Sequence, residues 1–334
     1  MITPSFAITA TERVLPRMAL DFTTAILDSR ITFTRAGNTA TVTNSSGAIV
    51  AINADLPRFD YNPVTLVCRG LLVEELRTNL FVNSLLNGTS LSTQLVTTTA
   101  VAHTLSFYGT GQIVLTGTSS ATVVGTGAYP NRQTLTFTPT AGVLTLTVTG
   151  TVQYAQLEVG SFPTSFIPTA ATSVTRNADV AVMTGTNFSS WYNQTSGTFV
   201  LTAITNVVGS PNFPGFFRVR GAAIGDSIGA VQFRAAGQFG GNARVGGVSQ
   251  GDVTVNGLVA GTEFKGAVAY ATNDLAVSFN ASAVATDTSV NLPTVNTLDF
   301  SNVGGTSQAI SGYLIKLNYY PMRLTNAELQ AFTK

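Results

Sequence analysis

The sequence predicts an all-β protein, and three observations carry that prediction. Charged residues are only 10% of the chain, against a usual value of about 25%. The apolar fraction is nevertheless an ordinary 44%, so the missing charge does not signal disorder, which needs low hydrophobicity together with high net charge. Thr, Ser, Asn and Gly stand where a helical protein would carry Glu, Lys and Arg on its surface. Finally, Thr, Val and Phe recur in short alternating runs cut by glycine-containing turns, as sheets with tight turns require. A length of 334 residues suits two domains and leaves ample chain to bury real cores.

Residues 1–27 carry Pro4 and Pro16 and few core signals, and read as an arm that docks on a neighbour, or else as a loose tag. On that reading, removing the arm leaves two intact sandwiches. Ile31-Thr-Phe-Thr alternates, Asn44-Ser-Ser-Gly47 supplies a turn and Ala48–Ile52 returns, which is a hairpin pattern. Gly70–Arg77 fits either a short strand or one helical turn. Residues 80–160 read as a small β-sandwich. Leu144, Leu146 and Val148 share one face with Thr145, Thr147 and Thr149 opposite, Leu135 and Phe137 repeat the pattern, and Ile113-Val-Leu115 reads as a fully apolar centre.

Phe162-Pro-Thr-Ser-Phe-Ile-Pro168 holds two prolines, which fixes an extended strap packed by Phe162, Phe166 and Ile167; residues 161–186 are therefore a linker. A second sandwich spans 187–334. Its expected strands are 198–204, 215–220, 230–234, 264–270, 275–279, 297–300 and 312–320, and the glycines of Gly237-Gln-Phe-Gly-Gly241 read as turn residues. Thr325-Asn-Ala-Glu328 is a capping box with Leu324 and Leu329 placed as a hydrophobic staple, and it predicts the one clear helix.

Charge and motif content exclude several function classes. With 17 Lys plus Arg against 16 Asp plus Glu, there is no basic excess for nucleic acid to neutralise. No apolar run reaches the roughly 18 residues that a membrane helix needs, and the amino terminus lacks a signal-peptide pattern, so the expectation is synthesis and assembly in a cytoplasm. Cys68 is the single cysteine and reads as a small buried hydrophobe. His103 is the single histidine, and no G-x-S-x-G elbow accompanies it, so it reads as a strand residue and no catalytic residues are assigned. Asp226, Asp252, Glu263, Asp274, Asp287 and Asp299 are scattered singly; no cofactor is expected, with calcium from distant loops left open.

The low charge predicts self-association. Apolar residues on both faces of Gly215-Phe-Phe-Arg-Val219 and Gly312–Tyr320 point to a homo-oligomer with closed symmetry.

The segments Asp28–Gly37, Pro57–Asn79, Gln156–Thr169 and Thr175–Val180 together resemble a group of tailed-bacteriophage virion proteins. In these a short amino-terminal region leads into carbohydrate-binding-like β-sandwiches. Asn187–Asn193 and the close of the chain look like the ends of a concanavalin-like or laminin-G-like jelly roll. The resemblance implies a non-enzymatic structural part of a virion, an appendage, fibre or decoration protein, assembled in the bacterial host. It implies docking to other virion proteins through residues 1–79, and three-fold symmetry makes a trimer the expected oligomer. A receptor-binding tail fibre that recognises host-surface polysaccharide through the second sandwich is the alternative.

Within the motif, Glu74 and Glu75 are expected to pair with arginines such as Arg58, Arg69 or Arg77 and tie the amino-terminal region down. Trp191 and Tyr192 read as a lid on the core or as a stacking platform for a sugar. By analogy with lectin-like sandwiches, Asp226, Arg234, Asn242 and Arg244 are the candidate glycan contacts.

Overall fold

Period-two alternation places apolar side chains on one face of most strands, and two such faces close over each other twice in this chain. The computed structural model describes residues 15–37, 39–85, 91–209, 214–222, 225–232, 237–301 and 309–334. Strands take 50% of it and helix 5%, which makes the protein all-β.

In the large sandwich, one sheet has eight antiparallel strands. Their spatial order is Ala285–Asp287, Asp274–Phe279, Glu263–Ala271, Ser196–Thr205, Gly312–Tyr320, Cys68–Val73 and Phe59–Tyr61, with Met18–Asp21 also pairing to Gly312–Tyr320. The facing sheet has seven: Thr32–Thr34, Val180–Thr184, Thr297–Phe300, Gly215–Arg220, Ser227–Gln232, Gln238–Val245 and Val248–Asn256. Between them lies one apolar core in which Phe199 and Phe217, from opposite sheets, meet at 4.4 Å.

The small sandwich packs His103–Gly109, Gln133–Phe137 and Val152–Val159 against Gln94–Thr98, Gln112–Gly117, Ala121–Val124 and Gly142–Thr149. Its core is built from Leu105, Phe107, Ile113, Leu115, Leu144, Leu146 and Leu157. The expected turn and return strand form a hairpin, but its outgoing strand is Ala40–Thr43, paired with Ile49–Ile52, while Thr32–Thr34 pairs with Val180–Thr184 in the large sandwich. Thr325 and Glu328 cap helix Asn326–Phe332 reciprocally over buried Leu324 and Leu329.

The structure differs from the expectations in five further places. Residues 1–14 of the expected arm lie outside the described residues. Met18–Asp21, however, is a sheet strand whose Met18 and Leu20, followed by Phe22, sit in the large core. Four residues are too few to show a period in sequence, and removing 1–27 would strip this strand from the sandwich. Likewise Phe59–Tyr61, Cys68–Val73 and, from the expected linker, Val180–Thr184 belong to the large sandwich.

The glycines of 237–241 are not all turn residues, because Gly240 and Gly241 lie inside Gln238–Val245. A Cβ on Gly241 would stand 2.9 Å from methyls of Val268 and Val277 in the facing sheet, so the glycine lets the sheets close. Gly266 answers it from the other sheet, where the Phe239 ring occupies the space of its missing side chain.

Val114 points outward between buried Ile113 and Leu115, so the small sandwich's centre alternates. Finally, the apolar faces that suggested a homo-oligomer are covered within one chain. Phe216 and Phe217 are in the core, while Tyr313 and Ile315 pack on Leu72 and Tyr320 packs on Leu324 and Leu329.

One buried ion network joins the pieces. Arg35, Arg58 and Arg176 are among the most deeply buried large side chains, and they surround Glu74 and Asp179. Arg58 spans both acids, donating to Glu74 at 2.7 Å and to Asp179; Arg35 donates to Asp179 at 3.1 Å, and Arg176 pairs with Glu74. Ser165 of the strap donates twice to Glu74 at 2.7 Å, and the Glu74 amide donates to Asp179. Glu75, on the opposite side of the strand, pairs with Arg77 at 2.6 Å, whereas Arg69 donates to the Tyr313 hydroxyl.

Burial pushes the Glu74 carboxyl up, but Arg176, Arg58 and Ser165 more than offset it and hold the group at about 2. Its unfolded value is near 4.5, so the stabilisation is fully present above pH 4.5 and is lost as pH falls towards 2. At 1.4 kcal/mol per pH unit this is on the order of 3 kcal/mol. Glu74→Gln is expected to cost about 3–5 kcal/mol at pH 7, because two buried guanidiniums lose their partner. Urea unfolding from pH 7 to 2.5 should show its acid limb flattened relative to wild type.

Candidate functional site

The seven-stranded sheet turns Val219, Ile228, Ala243 and Leu298 into the core, so alternate positions face away from it. Those positions are polar. Cross-strand pairing sets Asp299, Arg218, Gly229, Asn242 and Asp252 in one row. Thr297, Arg220, Ser227, Arg244 and Ser249 form the next. Gly229 stands between Arg218 and Asn242, where a Cβ would come within 2.7 Å of the Phe217 carbonyl oxygen.

Arg220 grips the fully buried Asp299 carboxylate through Nε at 2.5 Å and Nη2 at 3.2 Å. Burial raises the Asp299 pKa, and the two neighbouring guanidiniums oppose that rise. Arg218 is buried as well. Burial brings its pKa down to about 10; Asp299 resists the fall, and repulsion from Arg244 and Arg220 adds to it. Asn242 Oδ1 and Ser227 Oγ are buried with no hydrogen-bond partner among the described residues.

At the margin, Asp226 Oδ1 accepts from the Gly246 amide at 2.7 Å, and Gly247 donates to the Gly225 carbonyl at 2.8 Å, which ties two turns together. Arg244 Nη1 donates to the Gly247 carbonyl at 3.3 Å. Of the four loop candidates, the structure thus brings Asp226, Asn242 and Arg244 together, with Asn242 and Arg244 on the strand Gln238–Val245 and Asp226 in the turn before Ser227–Gln232; Arg234 lies outside the described residues. Arg218, Arg220, Ser227 and Asp299 are the partners that sequence reasoning missed. A paired signal existed, since Arg218-Val-Arg220 and Asn242-Ala-Arg244 both alternate polar with apolar.

Trp191 and Tyr192 are elsewhere and cannot serve as a platform. Trp191 is 2% exposed, with Phe188, Tyr192, Phe199 and Tyr319 packed around its ring and its indole N–H donating to the Asn187 carbonyl at 2.7 Å. Tyr192 stacks with Phe188, Tyr270 and Tyr319, and lines one side of a pocket of about 450 Å³ with Thr184, Gln194 and Asn296. They are the lid of the core. His103 is buried too, its Nδ1 2.8 Å from the Val101 carbonyl. Among the described residues, no three acidic, His or Cys side chains gather where a metal could sit.

No family model matches the chain, and no curated protein matches it. Among solved structures it is similar to the CBM40 domain of Ruminococcus gnavus IT-sialidase bound to α2,3-sialyllactose. The identity is 15%, with 42% of this chain and 84% of that chain covered, and the TM-score is 0.34. Trypanosoma rangeli sialidase gives 12% identity over 46% of this chain and 26% of that one, at a TM-score of 0.34. The binding domain of botulinum neurotoxin DC in complex with SialylT gives 9% over 47% and 39%, at 0.36.

Trp191→Ala is expected to cost about 3–5 kcal/mol of stability by opening a cavity in the core. In urea titrations it should behave as a core variant, and any glycan affinity measured on the remaining folded fraction should be unchanged.

Proposed function

We propose that this chain is a non-enzymatic glycan-binding component of a tailed-phage virion, with the polar face of the seven-stranded sheet as its binding surface. The observation that carries the binding reading is the pair Asn242 and Ser227. Both are buried, their side-chain oxygens have no hydrogen-bond partner among the described residues, and both stand beside Arg244 on a face turned away from the core. Sugar hydroxyls donate and accept at once, so they can serve a carbonyl oxygen and a hydroxyl together. The Arg220–Asp299 pair holds the floor rigid, which lowers the ordering cost of binding.

The virion reading is supported by where the resembling segments meet. Residues 57–79, 156–169 and 175–180 contribute Arg58, Glu74, Ser165, Arg176 and Asp179, which form one buried network. The likeness in those segments therefore has a single physical basis, the joint between the small sandwich and the large one.

A glycan array probed with the whole chain should give a defined set of ligands. Arg244→Ala should weaken the best of them at least tenfold, with the denaturation midpoint nearly unchanged. No ligand on the array, or full affinity in the variant, would remove this face from consideration. Immunogold labelling of intact particles should decorate the virion, and particles free of label would sink the virion assignment.

A further inference from the structure

A second recess lies far from the polar sheet face in the fold. It is a groove of about 1160 Å³, just above the usual range of ligand pockets, about 300–1,000 Å³. Three parts of the chain wall it. The hairpin and the residues after it supply Thr43, Asp60 and Arg69, the small sandwich supplies Tyr108, Tyr129 and Arg132, and the eight-stranded sheet supplies Glu263 and Tyr313.

Its wall is aromatic and rigid. Tyr129 donates to or accepts from Thr43 Oγ1 at 2.8 Å, across from the hairpin, and its ring meets Tyr108 edge-on at 5.2 Å. The ring is thus fixed at both ends. Arg132 lies 6.0 Å from the Tyr108 ring and donates to the Thr164 carbonyl at 2.8 Å and to Ser106 Oγ at 2.7 Å. Opposite, the Tyr313 hydroxyl donates to Asp60 at 2.8 Å while Arg69 approaches it at 3.3 Å.

Glu74 is engaged by Arg58 and Arg176, and the other charged side chains of the wall, Arg69 and Arg132 against Asp60 and Glu263, are two of each sign. A groove that carries both signs of charge and alternates donors with acceptors beside preset tyrosine rings suits an uncharged ligand that carries hydroxyls on one face and C–H groups on the other.

We propose that this groove is an oligosaccharide site for neutral glycans, separate from the polar sheet face and bridging the two sandwiches. A ligand held there touches both sandwiches and the hairpin, so binding stiffens the joint between them.

The test is isothermal titration of the whole chain with neutral hexasaccharides of α-glucan, β-glucan and mannan. Oxidative footprinting of the wild-type protein, with and without the tightest of them, locates the site. Binding that protects Tyr129 and Tyr108 from oxidation, falls at least tenfold in Tyr129→Ala and Arg69→Ala, and is unchanged in Arg244→Ala is the expected result. Binding lost in Arg244→Ala but kept in the groove variants would assign the sugar to the sheet face and overturn this site alone. No binding of any hexasaccharide at 10 mM on the order of pocket affinities would overturn it as well, while leaving charged glycans on the sheet face untouched. Footprinting of the wild-type chain keeps the outcome readable even if a groove variant fails to fold.

Discussion

Three guanidiniums and two carboxylates sit out of water where the modules of this protein meet, and the architecture depends on their pairing. An unpaired charge in such a place costs several kcal/mol, so Arg35, Arg58, Arg176, Glu74 and Asp179 are stable only in each other's company. They come from separate segments between residues 35 and 179, so the network closes only when those segments meet. Apolar burial stabilises each sandwich, but it is indifferent to how one sandwich sits on the other. The ion network, with Ser165 as the strap's contribution, is directional and fixes that relation.

The two candidate sites follow from different solutions to the same problem. On the seven-stranded sheet, arginines, an amide and hydroxyls occupy the face turned away from the core. Small residues there, Gly229 and Ser227, keep the floor low between longer side chains. In the groove, by contrast, the gap between modules is lined by side chains whose hydrogen bonds already span it. Tyr129 to Thr43 links sandwich to hairpin, and Tyr313 to Asp60 links the large sheet to the strand beside it.

Much of the fold was legible because period-two alternation is a local property. Leu144, Leu146 and Val148 announced their face, and the Thr325–Glu328 box announced its helix. The short strands were not legible, since Met18–Asp21 and Phe59–Tyr61 owe their conformation to partners far along the chain. Gly240 and Gly241 misled for a related reason, because a glycine demanded by a facing sheet looks in sequence like one demanded by a turn. Glu74 and Arg58 were recognisable as a pair, whereas Asp179 and Arg176, a hundred residues away, could be joined to them only in three dimensions. For the sites, Asn242 and Arg244 were visible as polar residues and Arg218 was hidden in an apolar run; the tyrosines of the groove carried no pattern at all.

The pairing of Met18–Asp21 with Gly312–Tyr320 has a consequence for biogenesis. The strand that receives it is made long after Met18–Asp21, so the large sandwich cannot close until residues 312–320 have been synthesised. The small sandwich lies wholly between residues 80 and 160 and can fold before that point. Its partner must wait, with Phe59–Tyr61 and Cys68–Val73 already exposed as sheet edges, until Gly312–Tyr320 arrives. During that interval the nascent chain is a ready acceptor for β-strands of other nascent chains, and its near-neutral charge does little to repel them.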